Sequence, residues 1–208
     1  MSDFEFEQNT PSKSLNLHVD ASGMLRWNDT CLPCAIGKNG ISQQKTEGDG
    51  TTPLGMFPLR RVLYRPDRLS PPRSALPTAP LSPRDGWCND PSHSLYNQQV
   101  RQPVQASCEL LWRTDSLYDL IVVLGHNDSP VVAGSGSAFF LHVAAEDLKP
   151  TKGSIALRQN ELLTILGSCD PCARLCVEDV GAAALDGARE AAQALGNKSL
   201  NAPFGPSR

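Results

Sequence analysis

The sequence predicts a mostly β (α+β) domain, and three observations support this fold class. Short apolar and β-branched runs such as Leu117–Gly125 recur between glycine and proline turn signals. Alternating stretches such as Leu15–Val19 are typical of strands with one buried face. Helical periodicity is confined to two stretches in the C-terminal part of the chain. We therefore expect a mostly β domain with a few short helices and an added C-terminal helix.

The chain length fits a single domain with terminal tails, because 208 residues bury about two-thirds of the surface of the unfolded chain. We predict a disordered segment at 1–13, a folded domain at 14–178, and a C-terminal helix and tail at 179–208. Seven prolines between positions 71 and 103 exclude regular helix or central sheet there. We therefore interpret 64–104 as a proline-rich lid or substrate loop.

The predicted elements follow in chain order. The first two strands form a hairpin across Asp20–Gly23, and Glu109–Arg113 is either a short helix or a strand. The predicted strands are Leu15–Val19, Met24–Trp27, Thr30–Ile36, Met56–Leu63, Leu117–Gly125, Ala138–Val143 and Ala173–Val177. The two predicted helices are Asn160–Leu166, capped by Asn160, and Val180–Leu195, which ends at Gly196-Asn197.

Composition excludes several classes of function. The net charge of −3 leaves no basic footprint for nucleic acid and no polybasic membrane patch. The N-terminal residues lack the pattern of a signal peptide, and no apolar window of membrane-spanning length exists. We expect a cytoplasmic protein with no membrane partner, or a periplasmic one only if a signal has been lost or another export route is used.

Seven cysteines, an odd number, favour reduced thiols over a disulfide framework. Two C-x-x-C pairs, Cys31/Cys34 and Cys169/Cys172, raise the alternative of a four-thiolate zinc site. The pairs lie far apart, and the first runs into a strand-like segment, so buried or surface thiols are favoured. We expect no metal and no cofactor.

His142 and the turn Thr151-Lys152-Gly153-Ser154 are the main candidates for chemistry. An imidazole within an apolar strand needs a hydrogen-bond partner, so a satisfied core histidine is one interpretation. Ser154 follows a glycine, and two consecutive backbone N–H groups there can point at one spot, as an oxyanion hole requires. This second feature favours a functional site.

At this point the chain resembles the L,D-transpeptidase catalytic domain, the YkuD-like family. The family has a histidine on a strand, followed by Ser/Thr-x-Gly-Cys, and His142, Thr151 and Gly153 match that pattern. Ser154 stands at the position of the nucleophilic cysteine. The resemblance covers Leu15 to Val177 and includes the run from Lys45 to Gly55. It is strongest to the branch without signal sequences, so a YkuD-like β-sandwich is implied.

The resemblance implies acyl transfer on peptidoglycan stem peptides. A cysteine at position 154 would attack the bond between the diamino acid and the terminal D-alanine, with His142 as its acid–base partner and Gly153 in the oxyanion hole. With water as acceptor the enzyme is an L,D-carboxypeptidase acting in muropeptide recycling. With an amine as acceptor it is an L,D-transpeptidase that forms cross-links.

A stem peptide presents carboxylates, so arginines are candidate clamps, although any single one could be a solvated surface residue. Two departures from the family bear on this expectation, because many members have His at the position of Lys152 and Arg at that of Ala156. The candidate substrate-binding residues are Lys45, Arg65, Arg68, Trp87, Arg113, Asn127, Thr151, Lys152 and Arg158.

Ser154 allows three interpretations. A serine without a carboxylate third member is a far weaker nucleophile than a cysteine. The chain is therefore an engineered Cys-to-Ser form, a natural serine enzyme, or a natural non-catalytic binder of peptidoglycan fragments. The first is favoured because the exchange is nearly isosteric and every other block persists. The expected partner is in each case a tetrapeptide or muropeptide.

Overall fold

A computed structural model describes residues 15–179 and confirms the mostly β fold. These residues form fourteen strands and one helix, where the sequence suggested a few helices. The elements are β1 (Asn16–Asp20), β2 (Met24–Trp27), β3 (Thr30–Pro33), β4 (Ile41–Ser42), β5 (Thr52–Pro53), β6 (Gly55–Tyr64), β7 (Thr78–Pro80), β8 (Asp85–Cys88), β9 (Gln99–Arg101), β10 (Cys108–Leu110), β11 (Leu120–Leu124), β12 (Phe140–Val143), β13 (Ile155–Leu157), α1 (Gln159–Ser168) and β14 (Arg174–Glu178). The predicted segment 1–13 and the helix predicted over 180–195 lie outside the described residues.

A nine-stranded sheet organises the domain. Its strands run β13-β12-β11-β6-β14-β1-β2-β3, with β7 added beside β6. The two ends of the sheet meet, because Ala35, just after β3, pairs with Ala156 of β13. The sheet therefore curls around one main core and brings β13 next to the N-terminal strands.

The central strands are apolar on both faces because both faces are covered. Val62, Val122 and Leu141 belong to the main core inside the curled sheet. Phe140 and Val123 belong to a second cluster on the other face. Double coverage explains why β11 is a continuous apolar run, why β12 is apolar apart from His142, and why both are fully buried.

The second cluster is covered by the proline-rich segment. Strands β8 and β9 of this segment form a separate three-stranded sheet with β10. Part of Glu109–Arg113 therefore belongs to a strand rather than a helix. Trp87 of β8 packs edge-on against Phe140 of β12 at 5.0 Å between ring centroids. The segment thus lies directly over the strand that carries His142.

The helix begins one residue earlier than predicted. Asn160 is not its cap, because Arg158 occupies the N-cap and its backbone N–H donates to Glu161 at 3.1 Å. Asn160 lies in the first turn, where its carbonyl accepts from Thr164. The carboxylate of Glu161 thereby satisfies the backbone N–H of the N-cap residue, as the N3 residue does in a capping box. No helix in residues 15–179 is long and apolar enough to cross a membrane.

Candidate active site

The turn before β13 is held by a set of short hydrogen bonds. The backbone N–H of Thr151 donates to the carbonyl of Ile36 at 2.8 Å, and its carbonyl accepts from the N–H of Lys38 at 2.9 Å. Its hydroxyl accepts from the N–H of Gly153 at 3.0 Å and donates to the carbonyl of Ser154. Thr151 is therefore a brace for the turn, and the Gly153 N–H that the oxyanion hole would use is bonded to it.

Gly153 has a conformation that only glycine adopts readily, with φ of +140°. The buried hydroxyl of Thr52 donates to its carbonyl at 2.9 Å. A Cβ at this position would lie 2.7 Å from the backbone oxygen of Thr51 and 3.6 Å from Nζ of Lys45. The close approach of the Thr51 backbone oxygen explains why glycine stands here, and the second distance shows that the Lys45 ammonium lies next to the turn.

Ser154 is half-buried and lies against the start of β12. Its hydroxyl donates to the carbonyl of Ala138 at 3.1 Å and accepts from the N–H of Phe140 at 3.3 Å. The following residues pair in parallel with β12, which places His142 opposite Ala156. Ser154 is thus beside the same strand as His142, two residues from it in register, or about 7 Å along the strand.

His142 is buried, with 6% of its surface exposed. Its Nδ1 is 2.8 Å from the carbonyl of Val143, and the ring of Tyr118 meets it edge-on at 5.2 Å. Because a carbonyl only accepts, Nδ1 carries the hydrogen and Nε2 the lone pair, the tautomer that a general base needs. In residues 15–179 no hydrogen bond joins the imidazole to Ser154, since each is bonded to backbone instead.

Burial lowers the pKa of His142 from its usual 6.5 to about 4. The unfolded chain therefore takes up a proton between these two pH values, while the folded chain does not. The folded protein therefore loses no stability through His142 above the unfolded pKa of 6.5, and it loses stability as the pH falls from 6.5 toward 4. We expect the free energy of unfolding to drop by about 1.4 kcal/mol per pH unit, or roughly 3 kcal/mol across the window, from this residue.

Urea unfolding at several pH values measures this loss. The control is His142→Gln, because the carboxylates titrate alike in both proteins and the difference between the two curves isolates the imidazole. Identical pH slopes for the two proteins would show that His142 is not held neutral by burial.

Lys45 and Asp49 organise the glycine-rich loop over the turn. Nζ of Lys45 forms an ion pair with Oδ1 of Asp49 and donates to the carbonyl of Thr46 at 3.1 Å. Burial raises the pKa of Asp49, but hydrogen bonds from Lys45 and from the backbone N–H groups of Thr46 and Thr51 bring the pKa well below its usual range. The pair places a cation near Gly153, and the predicted role of Lys45 in substrate binding stays a prediction.

Asn97, one of the polar groups interleaved with aromatic residues in the predicted lid or substrate loop, connects the proline-rich segment to the candidate site. Its Oδ1 accepts from Nε1 of Trp87 at 2.9 Å and from the N–H of Ala138 at 3.1 Å. Its Nδ2 donates to the carbonyls of His126 and Asn127 at 3.0 and 2.7 Å. Since Ser154 bonds the carbonyl of Ala138, Asn97 and Ser154 hold the same residue from either side.

Asn127 shapes the loop after β11. With φ of +48°, it donates to the carbonyls of Val132 and Gly136 at 2.9 Å each and accepts from the N–H of Val132 at 2.7 Å. A Cβ on Gly136 would lie 2.8 Å from Lys45 and 3.0 Å from His126. Asn127 therefore holds the loop that brings His126 toward the lysine.

A cavity of about 690 Å³ opens beside this network. Trp87, Asn97 and His126 line it, together with Arg60, Arg61 and Arg101. Arg61 lies over the ring of Trp87 at 5.9 Å and donates to Gln99 at 3.1 Å, and its buried Nε has no hydrogen-bond partner in the described part of the chain. Arg60 pairs with Asp128 at 2.8 Å. These arginines could not be selected from the sequence, because Arg60 and Arg61 of β6 meet Arg101 of β9 around one cavity only in the folded chain.

The arginines that the sequence did select are paired with carboxylates. Each lies near its partner, and two of them also contact aromatic rings. Arg65 binds Asp67 and stacks on Trp112 at 3.8 Å, Arg68 binds Asp119, Arg113 binds Asp115 over the ring of Tyr118, and Arg158 binds Glu161. Lys152 is exposed. Among them Arg113 is nearest to the candidate chemistry, through Tyr118 and its contact with His142.

Comparison with protein families identifies the domain. The model of the L,D-transpeptidase catalytic domain, YkuD, matches residues 9–178. The chain belongs to this family. Comparisons with curated proteins and with solved structures found no significant match. Family membership supports acyl transfer on peptidoglycan peptides as the general chemistry of this L,D-transpeptidase domain.

Proposed function

We propose that this L,D-transpeptidase domain binds a peptidoglycan tetrapeptide stem and, with cysteine at position 154, cleaves the bond between its diamino acid and the terminal D-alanine. The observation that carries the proposal is the turn of Gly153 and Ser154, braced beside the strand of His142 and joined through Ala138 and Asn97 to an arginine-lined cavity. The cavity is of a size for one short peptide. Water is therefore the acceptor we propose, which makes the activity that of an L,D-carboxypeptidase.

The chemistry follows from the atoms at the turn. The thiol at position 154 gives its proton to Nε2 of His142, and the sulfur forms a bond to the scissile carbonyl carbon. The imidazolium then protonates the amine of D-alanine as the carbon–nitrogen bond breaks. Water, deprotonated by the same imidazole, releases the acyl group. The backbone N–H of residue 154, with the Lys45 ammonium nearby, stabilises the oxyanion, and the N–H of Gly153 joins them once it leaves the hydroxyl of Thr151.

Arg61 is the residue that we propose reads a stem carboxylate. Its side chain lines the cavity, and its guanidinium is held by Gln99 and by Trp87. A planar guanidinium fixed in this way suits bidentate contact with a carboxylate. In this proposal Arg65, Arg68, Arg113 and Arg158 hold the scaffold around the site through their carboxylate partners.

Binding of a tetrapeptide stem to the Ser154 protein tests this proposal without turnover. We expect Arg61→Gln to weaken binding by about 10- to 100-fold, because a hydrogen bond to a charged group contributes about 1.5–3 kcal/mol. Isothermal titration calorimetry measures the effect. Arg73→Gln is the matched control, since Arg73 is exposed on the proline-rich segment and does not line the cavity. Equal affinities for the two variants would contradict the role of Arg61.

A second candidate function is that of a fragment-binding protein that never turns over. The hydroxyl of Ser154 favours it, because this group is bonded to Ala138 and Phe140 rather than to a base. An engineered Cys-to-Ser form of an enzyme, a natural serine enzyme and a fragment-binding protein would all have the same binding site. They differ in the rate at which the Ser154 and Ser154→Cys forms release D-alanine.

The substrates that we propose are soluble muropeptides in the cytoplasm, with cross-linking in the periplasm as the alternative. Seven thiols on one small domain suit a reducing compartment. Cell fractionation with an antibody to the chain distinguishes the two locations, and a periplasmic protein would favour the cross-linking role.

A further inference from the structure

A second group of chemically active side chains lies on the outward face of the main sheet, on β1 and β14. These strands are parallel neighbours, and His18 stands opposite Cys176. Glu178 follows Cys176 by two residues, so its side chain projects from the same face. Among residues 15–179 this is the only group of three or more His, Cys, Asp or Glu ligand atoms within 4.8 Å of one another.

The distances between the three ligand atoms approach those of a tetrahedral metal site. Nδ1 of His18 and Sγ of Cys176 each lie 3.2 Å from the same oxygen, Oε1 of Glu178. With metal–nitrogen and metal–oxygen bonds of about 2.0–2.1 Å, neighbouring tetrahedral ligands are about 3.3–3.4 Å apart. The sulfur needs only a small outward rotation, because a metal–sulfur bond is longer, about 2.3 Å.

The carboxylate of Glu178 is incompletely satisfied. Its second oxygen, Oε2, is buried and has no hydrogen-bond partner in the described part of the chain. Arg26, opposite His18 on β2, is bonded to Asp20 at 3.0 Å instead. An unpaired carboxylate oxygen out of contact with water is costly, and a bound cation removes that cost.

We propose that His18, Cys176 and Glu178 bind one Zn²⁺ ion. A nitrogen, a thiolate and a carboxylate are the ligand types that zinc takes in proteins, and three of them leave a fourth position for water. On binding, the S–H bond of Cys176 breaks, its proton passes to solvent, and a sulfur–metal bond forms. The site is built on two paired strands, which hold its ligands more rigidly than loops would.

The proposed site joins two distant parts of the chain. His18 and Glu178 are 160 residues apart in sequence. A metal bound to both would fasten the first described strand to the last one, independently of the turn that carries Ser154. We therefore assign it a stabilising role, with no part in peptide cleavage.

Titration of the reduced, chelator-treated full chain with Co²⁺, a spectroscopic substitute for Zn²⁺, tests the site. We expect one equivalent to bind with a thiolate-to-cobalt absorption band, and saturating Zn²⁺ to raise the Tm by roughly 5–10 °C. Cys176→Ser should abolish the band, and Glu178→Gln should weaken binding about 10- to 100-fold. Both changes preserve side-chain size, and thermal melts without metal confirm that the variants are folded.

The matched control is Cys31→Ser, which removes an exposed thiol of the Cys31/Cys34 pair. The band and the Tm shift should survive this change. A band that persists in Cys176→Ser, a band lost in Cys31→Ser, or no band in the unaltered chain would each overturn the proposal. These results are independent of peptide binding, so the assignment of Ser154 and Arg61 stands or falls separately.

Discussion

Replacing Ser154 by cysteine should raise the rate of D-alanine release from a tetrapeptide stem by about 10⁴-fold or more. The loss of a nucleophile from a catalytic unit typically lowers the rate by 10⁴- to 10⁶-fold, and restoring it should recover a comparable factor. A thiol at position 154 would lie in the turn braced by Thr151, beside the strand that carries His142. The exchange changes one atom at a half-buried position, so the fold should be retained.

A coupled assay for free D-alanine measures this effect with the Ser154, Ser154→Cys and Ser154→Ala proteins. His142→Gln in the Ser154→Cys background is the control, and it should return the rate to that of Ser154→Ala. A folded Ser154→Cys protein that binds the stem but releases no D-alanine would refute the enzyme and leave the fragment-binding protein. If the Ser154 protein releases D-alanine and Ser154→Ala abolishes this release, the chain is a natural serine enzyme. If the main product is a cross-linked dimer of two stems, the acceptor is an amine rather than water.

The sequence predicted best those features that depend on local patterns. The short β-branched run Leu117–Gly125 predicted a strand, which β11 confirms, and β11 is fully buried. The alternation in Leu15–Val19 and the hairpin to Met24–Trp27 are confirmed by β1 and β2. The helix was found from its periodicity, while its cap was not, because Arg158 and Glu161 form a capping box without the usual serine or threonine.

The features that the sequence could not predict depend on contacts between distant segments. Asn97 could be assigned to the predicted substrate loop but not to a partner, because its bonds to Ala138 and Asn127 arise only when that loop folds back over β12. Arg61 was one of several arginines on a strand, and the packing of Gln99 and Trp87 around it makes it distinctive. Pairing between neighbours, such as Arg65 with Asp67, was the local signal that could have assigned those arginines to the scaffold.

Replacing Gly153 by alanine should destabilise the protein by about 3 kcal/mol and disable the turn. An alanine at φ of +140° carries backbone strain of about 1–3 kcal/mol. Its Cβ would also lie 2.7 Å from the backbone oxygen of Thr51, which cannot rotate away as a side chain would. The turn must therefore shift, and a displacement of about 1 Å at a catalytic group lowers the rate roughly 100-fold.

Urea unfolding measures the first effect, and D-alanine release by Ser154→Cys with and without Gly153→Ala measures the second. Gly134→Ala is the matched control, because Gly134 also has a positive φ, +80°, but its Cβ would meet nothing within 4 Å. It should reduce stability by only about 1 kcal/mol through backbone strain and leave the rate unchanged. Equal losses of stability in the two variants would mean that the contact with Thr51 relaxes without consequence. An unchanged rate in the Gly153→Ala form would mean that the reaction does not depend on the N–H groups of this turn, so oxyanion stabilisation would have to come from elsewhere, with the Lys45 ammonium as the nearest charge.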